Sequence, residues 1–253
     1  MPATNKLSAG QQYIITGHTR ISTNTMLMRL GGDTEGFTRP GQFVNIAVPG
    51  FTLRRPISVC DLHRDELTIV YDIVGHGTEV LSKMNCGETL DIIPALGNGF
   101  DVEMCESRPL LVGGGVGCPP LYGLAKKFIS RGISPVVVLG FNSAERAMMT
   151  DMFAELDVDL HIATVDGSMG TPGFVTDAIA GLEERPGYFY ACGPMQMLRA
   201  LCRELQCPGQ VSLEARMGCG FGACMCCSLE TKTGPKRICK EGPVFEKDTL
   251  IWK

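Results

Sequence analysis

The chain has 253 residues and a formal net charge of −4, with 44% hydrophobic and 20% charged residues. This balance is typical of a folded globular protein and excludes a disordered chain. The negative charge argues against a general affinity for nucleic acid or for an anionic membrane. No apolar run approaches the roughly 20 residues of a membrane span, and residues 1–12 lack the apolar core of a secretory signal. We therefore expect a cytoplasmic protein that binds neither nucleic acid nor membrane.

Short apolar runs fill the chain from about residue 11 to residue 94. They read Tyr13–Ile15, Phe43–Val48, Leu67–Val74 and Leu90–Ile93, with glycine and proline between them. Many short strands at this spacing predict an antiparallel barrel or sandwich. The pattern also predicts a short helix from Thr78 to Met84.

Strand-like and helix-like segments alternate from about residue 108. The strands are predicted at Pro109–Val112, Pro135–Gly140, Leu160–Thr164 and Gly187–Ala191, and the helices at Leu121–Ser130, Glu145–Glu155 and Met195–Leu205. This alternation predicts a doubly wound parallel sheet. After residue 210 the chain is rich in glycine and cysteine and too irregular for either class. The predicted domains are therefore 1–101, 102–210 and 211–253.

Two stretches of the barrel half have the chemistry to contact a cofactor. In the run Arg54–Ser58, an arginine can hold a phosphate in a bidentate manner and a serine hydroxyl can donate to a flavin ring nitrogen. The run Gly75–Thr78 opens the short helix and offers free amides to a phosphate. Taken alone, the first stretch is more often a surface strand end than a cofactor site.

A glycine-rich turn, Gly113–Gly117, joins the first strand of the second half to its helix. Glycines there let the backbone approach a pyrophosphate, which a helix N-terminus attracts. The spacing is not a strict G-x-G-x-x-G because Cys118 occupies the last glycine position, so an ordinary glycine turn fits equally well. Arg146, which follows the second strand, could meet a 2′-phosphate, although we expect it on a solvated helix face.

Cysteine is unusually abundant, with twelve residues, of which five lie between Cys219 and Cys239. In a reducing compartment, clustered thiols indicate a metal site more often than disulfides. The remaining cysteines are interpreted mainly as small buried hydrophobes. They are Cys60, Cys86, Cys105, Cys118, Cys192, Cys202 and Cys207.

The C-terminal thiols have a diagnostic spacing. Cys219, Cys224, Cys227 and Cys239 read C-x4-C-x2-C-x11-C, and the first three match the run of plant-type [2Fe–2S] centres. The glycines at 218, 220 and 222 can adopt the positive φ values that wrapping a cluster requires. A structural zinc site is the alternative, but such sites usually use two C-x2-C pairs. Cys226 could replace a neighbour as ligand, although we expect it not to ligate.

In this order the stretches resemble the ferredoxin-reductase superfamily and, within it, the electron-transfer subunits of class B, NAD-dependent dihydroorotate dehydrogenases. The resemblance covers nearly the whole chain: residues 40–43, 55–58, 77–78, 96–100, 113–121, 166–168, 192–194, the cysteine run and 238–245. It implies an N-terminal antiparallel flavin-binding barrel, a parallel-sheet nucleotide-binding domain and a small [2Fe–2S] subdomain.

The resemblance also implies a set of residues for each cofactor. For FAD these are Arg55, Pro56, Ile57, Ser58, Val70, Tyr71, Asp72, Gly77 and Thr78. For NAD they are Gly113, Gly114, Gly115, Gly117, Cys192, Gly193 and Pro194. The cluster would be ligated by Cys219, Cys224, Cys227 and Cys239. Asp72 and Cys226 depart from the family pattern, since relatives tend to have arginine and a small residue there.

The function implied by the resemblance is electron transfer in pyrimidine biosynthesis. An FMN-containing catalytic subunit would oxidise dihydroorotate, and electrons would pass through the [2Fe–2S] cluster and FAD to NAD⁺. The implied assembly is a heterotetramer, and no acid–base constellation for substrate oxidation is evident in this chain. Two alternatives stay open: a reductase subunit that serves ferredoxin, sulfide or another redox partner, and a non-enzymatic zinc-ribbon binding module.

Overall fold

The structure is a computed structural model and describes residues 10–105 and 107–252. In the first of these ranges, antiparallel strands close into a barrel in the order β1-β2-β5-β4-β3-β6. The strands are β1 (Gln11–Arg20), β2 (Thr25–Gly31), β3 (Phe43–Ile46), β4 (Arg55–His63), β5 (Glu66–Asp72) and β6 (Thr89–Leu96). The predicted antiparallel barrel is confirmed.

Alternation of buried and exposed side chains explains the barrel strands. In β1, Tyr13 and Ile15 are fully buried whereas Ile14 between them is 44% exposed, because successive side chains of a strand point to opposite faces. The short predicted helix is present as α1 (His76–Ser82), which begins two residues earlier than expected. Its Leu81 packs into the same core as the inward residues of the barrel.

The second half forms a sheet with parallel strands in the order β10-β9-β8-β7-β11-β12. These strands are β7 (Leu110–Gly114), β8 (Val136–Phe141), β9 (Asp159–Thr164), β10 (Thr171–Pro172), β11 (Phe189–Cys192) and β12 (Gly209–Ser212). The helices are α2 (Cys118–Ile129), α3 (Thr150–Ala154), α4 (Val175–Ala180) and α5 (Met195–Glu204). The predicted parallel sheet is confirmed.

One predicted helix is wrong in extent. Where the pattern predicted a helix over Glu145–Glu155, the chain forms a single 3-10 turn, Ala144–Arg146, and then the short helix α3. Met149 lies between them in the left-handed region with a φ of 62°, which interrupts a right-handed helix. The pattern also missed α4.

The C-terminal segment is more regular than the sequence suggested. Residues 228–237 form an antiparallel hairpin, β13 (Ser228–Thr231) and β14 (Gly234–Arg237). The following strand, β15 (Val244–Glu246), pairs antiparallel with β12 and so extends the parallel sheet by an edge strand. Proline and charged residues in the hairpin hid the strand pattern, because an edge pair needs no apolar run.

The barrel packs against the sheet through helix α2. Lys126 of α2 donates to both carboxylate oxygens of Asp61 in β4, at 2.8 and 2.6 Å, and Cys60 and Val70 of the barrel share a core with α2. In the described part of the chain, none of the helices has the length and apolar character needed to span a membrane. The carboxyl ends of β7 and β11 lie side by side in the sheet, with Gly113 opposite Cys192.

Candidate redox site

A cavity of about 260 Å³ lies between the barrel and the sheet, and we call it the barrel cavity. Its barrel wall contains most of the residues implied for FAD: Pro56, Ile57 and Ser58 of β4, Val70, Tyr71 and Asp72 of β5, and Thr78 of α1. Its other wall contains Val116, five residues of the segment 212–217, and Pro243. The cavity is apolar with a few polar groups, which is the usual character of a cofactor site.

Arg55 lies beside this cavity, against the first turn of α1. Its guanidinium stacks on the Phe51 ring at 4.7 Å from the centroid, and its Nη1 donates to the carbonyl of Leu53 at 2.6 Å. A Cβ added at Gly77 would overlap the guanidinium. The absence of a side chain at Gly77 therefore lets a fixed cation lie beside the unpaired first-turn amides of α1, which together suit a pyrophosphate.

Replacement of Gly77 by alanine is expected to weaken FAD binding about tenfold, because the new methyl group displaces the Arg55 guanidinium. A tenfold change in affinity corresponds to about 1.4 kcal/mol of binding free energy. Fluorescence titration of the flavin-free protein with FAD measures this change. Gly75→Ala is the matched control, since a Cβ there meets nothing within 4 Å. Equal FAD affinities of the two variants would contradict the role given to Gly77.

A second cavity of about 560 Å³, the sheet cavity, opens at the carboxyl edge of the parallel strands. Of the residues implied for NAD, Gly114, Gly115 and Pro194 line it. Asn142 and Arg146 after β8, Phe174 before α4 and Met197 in α5 complete much of the wall. In open α/β sheets, this edge is where nucleotides bind.

The other residues implied for NAD lie beneath this surface. Cys192 is 2% exposed and its burial raises the pKa of the thiol. A Cβ added at Gly117 would overlap the carbonyl oxygen of Cys192, so the glycine turn and the end of β11 touch backbone to backbone. Gly113 and Gly193 are likewise closely packed, at Cys118 and Gly114 respectively. These residues pack beneath the residues that line the sheet cavity and do not line it themselves.

The C-terminal thiols form two pairs. The amide of Cys219 points at the sulfur of Cys224 at 3.4 Å, and the amide of Cys224 points back at the sulfur of Cys219 at the same distance. The amide of Cys239 points at the sulfur of Cys227 at 3.4 Å. Among the described residues, no group of three or more histidine, cysteine, aspartate or glutamate side chains is placed to hold a single metal ion. Two thiols per iron is the arrangement that a two-iron cluster requires.

Backbone amides stabilise a thiolate at Cys219. Burial raises the pKa of this thiol, but amide hydrogen bonds from Cys224, Phe221 and Ala223 outweigh burial and lower the pKa to about 6. Burial raises the pKa of Cys239 to about 12, so a metal must displace its proton. The expected positive φ values are present at Gly220 and Gly222, at 80° and 92°, whereas Gly218 does not adopt one.

Cys226, the extra thiol of the run, is exposed and its sulfur lies 3.9 Å from the carbonyl oxygen of Arg216. It belongs to neither thiol pair. Of the cysteines interpreted as buried hydrophobes, Cys60, Cys105 and Cys118 are buried with Cys192, whereas Cys202 and Cys207 are partly buried. Cys86 is exposed, so that interpretation was wrong for it.

Two side chains hold the cysteine run in place. Asn45 of β3 is 1% exposed and donates from Nδ2 to the carbonyl of Cys219 at 3.0 Å. Arg237 of β14 donates to the carbonyl of Gly222 at 2.6 Å and pairs with Glu241. The run is therefore tied both to the barrel and to its own hairpin.

Asn45→Ala is expected to speed loss of the iron–sulfur absorption in air about fivefold, because the lost hydrogen bond costs about 1 kcal/mol. The decay of visible absorbance of the purified protein measures the rate. Asn85→Ala removes the same side chain from an exposed loop position and serves as control. Identical decay rates for the two variants would show that the barrel does not hold the run.

Several lining residues escaped the sequence analysis. Glu214 lines the barrel cavity, and burial raises the pKa of its carboxyl group. Phe174, at the start of α4, is 65% exposed and lines the sheet cavity. An aromatic residue before an unrecognised helix and an acid in an irregular segment have no local motif that could have identified them.

Comparison with known proteins gives consistent matches. The family model of the iron-sulfur cluster binding domain of dihydroorotate dehydrogenase B matches residues 214–251. A Bacillus mycoides (strain KBAB4) protein named dihydroorotate dehydrogenase B (NAD(+)), electron transfer subunit, is 43% identical over 249 residues, covering 93% of this chain and 96% of the relative. A protein of the same name from Fusobacterium nucleatum is 42% identical over 240 residues, covering 89% and 92%.

Solved structures give the same fold. A structure of an NADH-dependent reduced ferredoxin-NADP oxidoreductase, studied for flavin-based electron bifurcation, aligns with a TM-score of 0.87 at 32% identity, over 95% of this chain and 90% of that one. The FAD/NAD binding domain of a Vibrio cholerae nitric oxide dioxygenase aligns with a TM-score of 0.70 at 20% identity, over 78% and 92%. The second likeness concerns the fold alone.

Proposed function

The chain belongs to the family of electron transfer subunits of dihydroorotate dehydrogenase B. We propose that a partner subunit oxidises dihydroorotate and that this chain carries the electrons from that subunit to NAD⁺. Its cofactors are FAD and a [2Fe–2S] cluster, and its partner is the FMN-containing catalytic subunit. The chain is thus the NAD-linked half of an oxidoreductase in pyrimidine biosynthesis.

Contiguity of the three sites is the observation that carries this proposal. Asp72 lines both the barrel cavity and the sheet cavity. Met217, which lines the barrel cavity, precedes Cys219 by only two residues. Electron transfer requires carriers that lie close together, and this chain brings the three sites to one seam between barrel and sheet.

Each cofactor has a proposed set of residues. Arg55, Gly77 and Thr78 would bind the FAD pyrophosphate, with Ser58 at the isoalloxazine. Gly114 and Gly115 would lie under the pyrophosphate of NAD, with Pro194 beside the nicotinamide. The cluster would be ligated by the two thiol pairs, Cys219 with Cys224 and Cys227 with Cys239.

FAD, when bound, exchanges a hydride with nicotinamide and transfers electrons singly, and the cluster carries one electron at a time. The residues of this chain would bind and orient these cofactors. Arg55 supplies a fixed positive charge, and Val70 and Val116 exclude water from the barrel cavity. The backbone contact between Gly117 and Cys192 holds the glycine turn against the end of β11. Hydride exchange needs this geometry more than it needs an acid or a base.

We further propose the division 1–101 for FAD, 102–210 for NAD and 211–253 for the cluster. We place the protein in the cytoplasm, which is supported by the lack of any disulfide among the twelve cysteines in the described part of the chain, since thiols stay reduced in that compartment. The proposed assembly is a heterotetramer with the catalytic subunit.

Co-expression with an FMN-containing dihydroorotate-oxidising subunit tests the function. The purified complex is expected to reduce NAD⁺ with dihydroorotate, to contain FAD and two irons per chain, and to have the mass of two copies of each subunit by light scattering. Each subunit alone is expected to lack this activity. A colourless protein that contains zinc but no flavin would refute the redox function.

One specific observation supports a second candidate. The reductase structure described above matches with a TM-score of 0.87, so this fold also serves ferredoxin. Reduction of ferredoxin by NADH in the absence of a dihydroorotate-oxidising partner would favour this candidate. The higher identity to the dihydroorotate dehydrogenase B subunits, 43% against 32%, favours the first.

A further inference from the structure

Two features of the sequence remain unexplained by the proposed function, Asp72 and Arg146. They meet in the structure. Arg146 Nη2 lies 3.8 Å from a carboxylate oxygen of Asp72, and both residues line the sheet cavity. The Arg146 side chain is partly exposed, and it also contacts a carboxylate of the barrel. It reaches from the turn after β8 to the end of β5 in the barrel.

The pair is built into its surroundings. The hydroxyl of Thr25 donates to the second carboxylate oxygen of Asp72 at 2.6 Å. The side-chain oxygen of Asn24 accepts from Nη1 of Arg146 at 2.7 Å once that amide is oriented to satisfy both neighbours. The Asp72 side chain is only 14% exposed, against 41% for Arg146. Residues of the barrel half thus lie beside both terminal nitrogens of the Arg146 guanidinium.

The position of Arg146 suits the pair to a role in nucleotide recognition. In nucleotide-binding sheets of this type, the residues after the second strand face the adenosine ribose, and an arginine there accommodates the 2′-phosphate of NADP. The other arginine of the sheet cavity, Arg203, is also paired, with Glu204 at 3.1 Å. The charged residues that line this cavity therefore sum to zero, and each arginine has a carboxylate partner.

We infer that Asp72 sets the dinucleotide preference of this chain by holding Arg146 in an ion pair, so that no free cation is available to a 2′-phosphate. The inference rests on the proposed function, because it requires the sheet cavity to bind the dinucleotide. The 2′-phosphate is close to a dianion at neutral pH. In the sheet cavity it meets the Asp72 carboxylate and an arginine that is already engaged.

Isothermal titration calorimetry of the FAD-loaded protein with 5′-ADP and 2′,5′-ADP tests the inference. Asp72→Asn keeps an oxygen that can accept from Thr25 but loses the charge. It is expected to improve the affinity for 2′,5′-ADP relative to 5′-ADP about tenfold. Arg146→Gln leaves Asp72 unpaired and is expected to shift the ratio in the opposite direction. The double variant is expected to lose the gain, since the freed arginine is its source.

Glu103→Gln is the matched control because it removes the carboxylate partner of Arg131, an arginine that lies outside the sheet cavity. Its ratio is expected to stay at that of the native protein. The inference is overturned if Asp72→Asn leaves the ratio unchanged, if the double variant keeps the gain, or if Glu103→Gln gives the same gain. If 5′-ADP does not bind the native protein at all, the dinucleotide site in the proposed function is itself wrong, and the inference falls with it.

Discussion

Replacement of Cys224 by serine is expected to remove the visible absorption of the iron–sulfur cluster and to slow electron transfer from the partner subunit by at least roughly 100-fold, the upper end of what even an outer-shell partner costs. Cys224 is exposed, and its amide and sulfur both engage Cys219. Serine leaves one iron with a single thiolate, that of Cys219, whereas the barrel cavity is not altered. FAD content and NADH-driven reduction of ferricyanide are therefore expected to be retained.

Iron analysis, the visible spectrum and activity of the reconstituted complex measure these effects. Cys226→Ser is the control, because that thiol lies two residues away and belongs to neither pair. It is expected to keep both colour and transfer. Retention of colour and transfer by Cys224→Ser would remove Cys224 from the ligand set, and loss of both in Cys226→Ser would put Cys226 in its place.

Replacement of Gly117 by alanine is expected to lower the free energy of unfolding by about 2 kcal/mol, as overpacking typically does, and to impair reduction of the flavin by NADH. The added methyl group would overlap the carbonyl oxygen of Cys192. That atom belongs to the backbone of a central strand and cannot rotate away. The glycine turn and the end of β11 must separate, which moves the part of the turn, Gly114 and Gly115, that lines the sheet cavity.

Urea unfolding followed by circular dichroism gives the stability, and stopped-flow reduction with NADH gives the functional effect. Gly187→Ala tests the same substitution just before β11, where a Cβ would make an ordinary contact of 3.6 Å with Ser107. This control is expected to unfold like the native protein. Native-like unfolding and native-like reduction by Gly117→Ala would show that the close contact has no functional role.

The thiol spacing alone was enough to predict an iron–sulfur centre, and the family match at residues 214–251 agrees with it. A cluster site of this kind is local, because three of its four proposed ligands lie within nine residues. The same holds for the alternation of strands and helices, which predicted the parallel sheet. Short-range spacing dictates both features, since side-chain direction repeats with a fixed period along each element.

The contacts between distant segments could not be read in this way. Asn45 and Cys219 are 174 residues apart. Asp72 of the barrel meets Arg146 of the sheet half, and Glu214 enters the barrel cavity from a segment that seemed irregular. Each depends on how the barrel docks against the sheet. Docking is decided by the fit of whole surfaces through α2, and no local pattern encodes which polar side chains then face one another.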